Sequence, residues 1–266
     1  MVQQLHIFFF PMLAHGHMLP TLDMAKVFVS RGIKATMITT HYHVPMFEKA
    51  IQRSKELGFD ISVRALKFPS SDSGLPEGIE SLDQLKSDDL IPAFIMATTK
   101  LQAQLEQLLE DCRPNCIVAD MFFPWATEAA AKFGIPRLVF GGTSTFALCV
   151  GESLRRNRPF DHVSCDTEPF LVPEIPHQIQ MTRAKIAIHD SVGAKEWSRV
   201  TKNVIKGEDI AKAVERIMVG EEAIQIRVRS KVLKVAAKKS VEEGGSSYSS
   251  FNALIQDLSA YQSTTN

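Results

Sequence analysis

The chain has 266 residues, of which 45% are apolar and 23% charged, and its acidic and basic side chains balance to a formal net charge of zero. This is the composition of a soluble globular protein with ample material for a core, and it exerts no strong pull on nucleic acid or an anionic membrane. The four cysteines (Cys112, Cys116, Cys149, Cys165) form no CxxC pair, so reduced cytosolic thiols are expected rather than a disulfide framework, and Cys112 with Cys116 lacks the second pair that a metal site needs.

The first recognisable stretch is Leu5 to Pro20, LHIFFFPMLAHGHMLP. Ile7 to Phe10 is a short apolar run rich in β-formers and predicts a buried strand, which Pro11 stops. A brief loop holds Gly16 between His15 and His17, and from Pro20 and Thr21 the residues Leu22, Met24, Ala25, Phe28 and Val29 recur at helical spacing. Strand, loop and helix place the histidines near the carboxyl end of a central strand, where open parallel sheets bind ligands. Residues 5–14 are apolar enough to suggest a signal peptide, but no Lys or Arg precedes them and Pro11 interrupts them. No run reaches the ~18 apolar residues needed to cross a bilayer. A cytoplasmic protein is expected.

Gly32 is placed to end the first helix, and IKATMITT (Ile33 to Thr40) predicts a second strand. His41 to Lys55 reads as loop then helix, Ile61 to Leu66 as a third strand, and Lys67 to Leu90 as a polar, ordered surface loop beside a site. Ile91 to Leu109 predicts one long helix. CIVA (Cys116 to Ala119) is a short buried strand ending in Asp120. Phe122 to Phe133 follows as a helix, RLVF (Arg137 to Phe140) as a strand, and Gly141-Gly142-Thr143-Ser144 opens a further helix through about Leu154. This alternation predicts βαβ units and a Rossmann-like, mostly parallel α/β sheet.

From Arg155 to Val200 the regularity fades among Pro159, Pro169, Pro173 and Pro176. Helices return beyond Lys206 with three apolar faces: Ile210, Val214, Ile217 and Met218; Ile224, Val228, Val232 and Val235; and Phe251, Leu254, Ile255 and Leu258. The basic run Lys231, Lys234, Lys238 and Lys239 reads as a solvated helix face.

His17 and Asp120 both follow core strands and can face one cleft. A carboxylate bonded to an imidazole fixes its tautomer and offsets the charge it gains on taking a proton. Asp120 capping a following helix is the plainer alternative. His15 rivals His17, and position alone does not choose between them; His41 and His43 line the same cleft or belong to a surface loop. Gly142, Thr143 and Ser144 offer backbone N–H groups and hydroxyls to a phosphate or sugar oxygen, or simply cap the next helix. A lone Gly16 is not GxGxxG, and GTSTF is not GxSxG, which argues against a dinucleotide fingerprint and a nucleophile-elbow hydrolase.

FFFPMLAHGHMLPTLDMAKVFVSRG, IVADMFFPWATEAAAKFGIPRLVF and GTSTFALC, in that order over about residues 4–186, closely resemble the N-terminal half of plant UDP-dependent glycosyltransferases acting on small lipophilic molecules. The resemblance implies a GT-B protein, with an N-terminal domain that binds the acceptor and a C-terminal domain that binds the UDP-sugar. It implies that His17 is the catalytic base and Asp120 its partner, with Thr143 near the sugar and Gly142 and Phe122 beside the substrate. It implies that the acceptor hydroxyl attacks the anomeric carbon with inversion as UDP leaves, with no metal and no cofactor besides the UDP-sugar co-substrate. Flavonoids, triterpenoids and other phenolics all fit as acceptor.

SVGAKEWSRVTKNVIKGEDIAKAVERIM and the last helices resemble the end of the same family. The sequence lacks the family's Trp-Ala-Pro-Gln segment, its His-Cys-Gly-Trp-Asn-Ser stretch and the terminal Asp-Gln of its sugar-nucleotide signature. The expected organisation is therefore an acceptor-binding domain (1–186), a junction (187–206) and C-terminal helices left from the donor domain (207–266). Such a chain is expected to transfer sugar very poorly or not at all. The alternative is a non-catalytic acceptor-binding module or a partner of a full-length relative. Apolar surface left without its donor domain is expected to promote self-association.

Overall fold

The computed structural model describes residues 4–176, 178–184, 186, 207–219 and 221–265. The chain separates into two compact units, Met1–Ser198 and Arg199–Asn266. The expected junction, 187–206, lies outside the described residues.

The first unit is built on β1 (His6–Phe10), β2 (Lys34–Thr40), β3 (Ile61–Leu66), β4 (Cys116–Asp120) and β5 (Arg137–Phe140), which form one five-stranded sheet in the order β3-β2-β1-β4-β5. All four pairings are parallel. The connections carry α1 (His15–Val29), α2 (Val44–Glu56), α3 (Ile91–Thr99), α4 (Gln102–Cys112) and α5 (Ala126–Ala131), and α6 (Thr145–Asn157) follows β5. A strand covered on both faces must be apolar throughout rather than alternating. β1 meets this demand: Ile7, Phe8, Phe9 and Phe10 are all fully buried. Phe9 meets Phe28 of α1 edge-to-face at 5.5 Å, whereas Phe10, pointing the other way, stacks on Phe123 at 4.5 Å.

The structure departs from the sequence reading at several points. The first helix begins at His15, so both histidines lie in its opening turns and Pro20 lies inside it. The long helix expected from Ile91 is broken into α3 and α4. The Thr98 and Thr99 hydroxyls turn back to the Ile95 and Met96 carbonyls, and Lys100 and Leu101 donate to Ala97 and Thr98 in a tighter turn. Only Ala126–Ala131 of the expected 122–133 helix is α-helical; Phe123 N–H is taken by the Asp120 carbonyl in a preceding turn. The irregular stretch after α6 contains an antiparallel pair, β6 (Pro169–Leu171) with β7 (Gln180–Thr182). Its Phe170 packs in a small cluster with Leu154, Val172 and Ile186.

The second unit holds α7 (Gly207–Met218), α8 (Glu221–Val241) and α9 (Ser246–Thr265). On α9 Leu258 is buried and Phe251, Leu254 and Ile255 are partly so, but Ile224, Val228, Val232 and Val235 of α8 are exposed. Among the described residues no helix is long and apolar enough to cross a membrane.

Two histidines tie stability to pH. Burial is the main cause that lowers His6, on β1, from 6.5 to about 4, and the same holds for His43 after β2. Nearby positive groups, Lys34 and His15 respectively, add to the effect, while Asp60 and Asp83 oppose it. Because the folded values lie below the unfolded ones, the unfolded chain takes up protons first. The contribution of these two rings to stability is complete above pH 6.5 and is lost as pH falls toward 4. Allowing for partial solvent screening, the melting temperature is expected to drop by roughly 3–8 °C between pH 7 and pH 5. Replacing both rings with glutamine should flatten that part of a melting-against-pH curve.

Candidate active site

The order β3-β2-β1-β4-β5 reverses direction between β1 and β4. The crevice beyond the carboxyl ends of two such strands is the ligand position of an open parallel sheet. His17 follows β1 and Asp120 is the last residue of β4, one step beyond the Phe10–Ala119 pair. The two side chains meet there, with His17 Nδ1 2.7 Å from Asp120 Oδ2.

Asp120 is completely buried, and the His17 side chain keeps 18% of its exposure. A buried carboxylate must have its lone pairs matched. Oδ2 takes the hydrogen on His17 Nδ1, and Oδ1 accepts Phe122 N–H at 3.1 Å. Asp120 therefore does not cap the following helix, whose N-cap position is Trp125 without a side-chain acceptor; its Oδ1 holds a local turn while Oδ2 faces His17. Since a carboxylate only accepts, the bond places the ring hydrogen on Nδ1 and leaves the Nε2 lone pair to receive a proton.

Three further residues shape the pair. Phe122 presents its ring edge-to-face to the imidazole at 5.7 Å. Gly142 lies directly against it: a Cβ at this position would sit 3.3 Å from both Cε1 and Nδ1 of His17, at a φ of +62° that side chains avoid. Arg137, on β5, donates from Nη2 to the Asp120 backbone carbonyl at 2.7 Å and from Nη1 to Thr127 Oγ1. Burial pushes the Arg137 guanidinium down while the Asp120 charge pulls it up. Sequence reading took Arg137 only as part of a strand.

The other candidates have surroundings of their own. His15 has a carboxylate of its own: Asp83 Oδ2 lies 2.7 Å from its Nδ1 and also accepts its backbone N–H at 2.8 Å. His43 is buried rather than part of a surface loop, and its Nδ1 meets Thr40 Oγ1 at 3.1 Å; His41 is exposed. Ser144, not Thr143, caps α6 by accepting Ala147 N–H, and Thr143 is exposed. Burial pushes the Cys116 thiol up to about 12, so it is no thiolate ligand at neutral pH.

The polar stretch after β3 is ordered and folds onto these loops. Leu82 N–H and Ser81 Oγ both donate to the Leu13 carbonyl, at 2.9 and 3.2 Å. Glu80 accepts Tyr42 N–H at 3.2 Å.

Fold and site together define an α/β protein with an imidazole held by a buried carboxylate at the carboxyl edge of a parallel sheet. The chain is 54% identical over 202 residues to a scopoletin glucosyltransferase of Nicotiana tabacum, covering 76% of this chain and 42% of that protein. It is 52% identical over 210 residues to an anthocyanin 3'-O-beta-glucosyltransferase of Gentiana triflora, covering 78% and 44%. The crystal structure of Glycyrrhiza uralensis UGT73P12 complexed with glycyrrhetinic acid 3-O-monoglucuronide superposes with a TM-score of 0.63 at 36% identity, over 68% of this chain and 37% of that one. No family model matches. The chain is thus a relative of the plant UDP-dependent glycosyltransferases of the GT-B fold. It spans about two fifths of the length of the curated relatives it matches.

Proposed function

We propose that the protein is the acceptor-binding portion of a plant UDP-glycosyltransferase, carrying the base that activates an acceptor hydroxyl. The observation that carries this reading is the 2.7 Å bond between His17 and the fully buried Asp120 at the β1–β4 crevice. In the reaction, His17 Nε2 takes the hydroxyl proton while the acceptor oxygen bonds to the anomeric carbon of the sugar. The bond from that carbon to the diphosphate breaks, UDP leaves with the electron pair, and the anomeric centre inverts. Asp120 holds the ring with Nε2 free and offsets the charge it gains. Phe122 and Gly142 flank the acceptor, and Thr143 lies near the sugar. No metal and no cofactor besides UDP-sugar takes part.

The acceptor is a small lipophilic phenol of the scopoletin and flavonoid class, as the names of the relatives suggest. The polar loop from Lys67 to Leu90 and the helix after it shape its pocket, and the protein acts in the cytoplasm. Titrating scopoletin into the purified chain tests this reading. Saturable binding at micromolar concentration is the expected result, competed by flavonoids. No binding at the solubility limit of either ligand would sink it.

A second reading, acceptor binding or partnership with a full-length relative without catalysis, is favoured by the absent His-Cys-Gly-Trp-Asn-Ser and Trp-Ala-Pro-Gln segments. The exposed stripe Ile224, Val228, Val232 and Val235 is expected to draw such a chain into self-association. A monodisperse monomer at high concentration in sizing experiments would count against that.

A further inference from the structure

The helix that carries His17 has no N-cap of its own. Ala14 stands at its N-cap position without a side-chain acceptor, and no acidic residue lies in its first turn. Uncapped first-turn N–H groups leave a helix start poorly fixed. Asp83, 68 residues away in sequence, supplies the missing acceptor by taking His15 N–H at 2.8 Å.

That bond bears on His17 through a single rigid unit. The peptide joining Ala14 to His15 is planar. Its N–H is held by Asp83, and its carbonyl accepts both His17 N–H and Met18 N–H at 3.0 Å. The preceding peptide is gripped as well, because the Leu13 carbonyl accepts Leu82 N–H and Ser81 Oγ–H. Ser81 is fully buried, and its turn is closed by a reciprocal capping box with Gln84. The hydrogen bonds from the His15 backbone and ring and from Ser81 outweigh burial and hold the Asp83 carboxyl below its ordinary value, so it stays an acceptor at neutral pH.

We infer that Asp83 is a positioning residue for His17: it caps α1 from across the fold and, through the Ala14–His15 peptide, sets where the imidazole meets Asp120. The inference rests on the reading of His17 as the base, yet it is read out without turnover. In the ¹⁵N-labelled full chain, the His17 side chain should show a single tautomer with a slowly exchanging Nδ1–H, identified by its disappearance in His17→Ala. If the unaltered chain lacks that signature, the base reading itself fails, whatever Asp83 does.

Asp83→Ala is expected to lose the signature, with Nδ1–H exchanging fast and the tautomers mixing. Asp83→Asn should restore it, since the amide oxygen still accepts the His15 backbone N–H. His15→Ala should keep it, because the peptide and not the ring carries the effect. A folded Asp83→Ala protein with the His17 signature intact overturns the inference, as does its loss in His15→Ala. Should Asp83→Ala not fold, backbone exchange in the unaltered chain decides: His15 N–H protected together with His17 N–H supports the cap, and a freely exchanging His15 N–H beside a protected His17 N–H overturns it.

Discussion

Asp120→Asn is expected to leave the protein folded but to remove the proton-accepting tautomer of His17. The aspartate oxygens each accept one hydrogen, from His17 Nδ1 and from Phe122 N–H. An amide supplies one oxygen and one NH₂ group, so it cannot serve both donors. With its oxygen on the Phe122 N–H, its NH₂ faces His17 and forces the ring hydrogen onto Nε2, the atom that the proposed proton transfer needs free. In the Ser-His-Asp hydrolases the equivalent change lowers turnover about 10⁴-fold, and a loss of that order is expected for any transfer that depends on His17.

Asp120→Ala should act differently. It strands two donors inside the fold, which costs about 2–4 kcal/mol, and the melting temperature should fall by roughly 5–12 °C. Side-chain ¹⁵N spectra and thermal melts of the two variants separate chemistry from stability. A normal melt and an unchanged His17 tautomer in both would show that Asp120 does neither job.

Calorimetric titration of UDP-glucose, and separately of UDP, into the chain is expected to give no heat up to millimolar ligand. Transfer needs the anomeric carbon held against the acceptor oxygen, and such positioning contributes up to about 7–11 kcal/mol of the barrier reduction. The segments that resemble the family's sugar-nucleotide signature are absent from the sequence. An aligned base without a held donor therefore keeps only its own 10²–10⁴-fold contribution. Saturable UDP-glucose binding, or steady acceptor-dependent UDP release that disappears in His17→Ala, would mean that the chain forms a donor site by itself or with a second copy.

A great deal of this was legible from neighbouring residues. Ile7 to Phe10 and Cys116 to Ala119 are strands in the fold as their short apolar runs predict, because a strand buried on both faces is specified by its own residues alone; Arg137 to Phe140 is a strand too, at the sheet edge with Val139 exposed. The alternation of strands and helices gave the parallel sheet, and with it the edge where His17 and Asp120 meet. What periodicity could not show is contact between residues distant in the chain. Helix α1 begins at His15 although nothing beside it caps it, since the acceptor for its first N–H comes from Asp83. Arg137 reads as one more strand residue until β5 lies beside β4 and its guanidinium reaches the Asp120 carbonyl. Gly142 reads in the sequence as an N–H donor to a ligand or a helix start, and only the fold brings the His17 ring against it. Local sequence determined which segments become strands and helices through burial of their own side chains. The tertiary structure decided how the imidazole is aimed, because Asp120, Phe122 and Gly142, which surround the ring, all come from other segments.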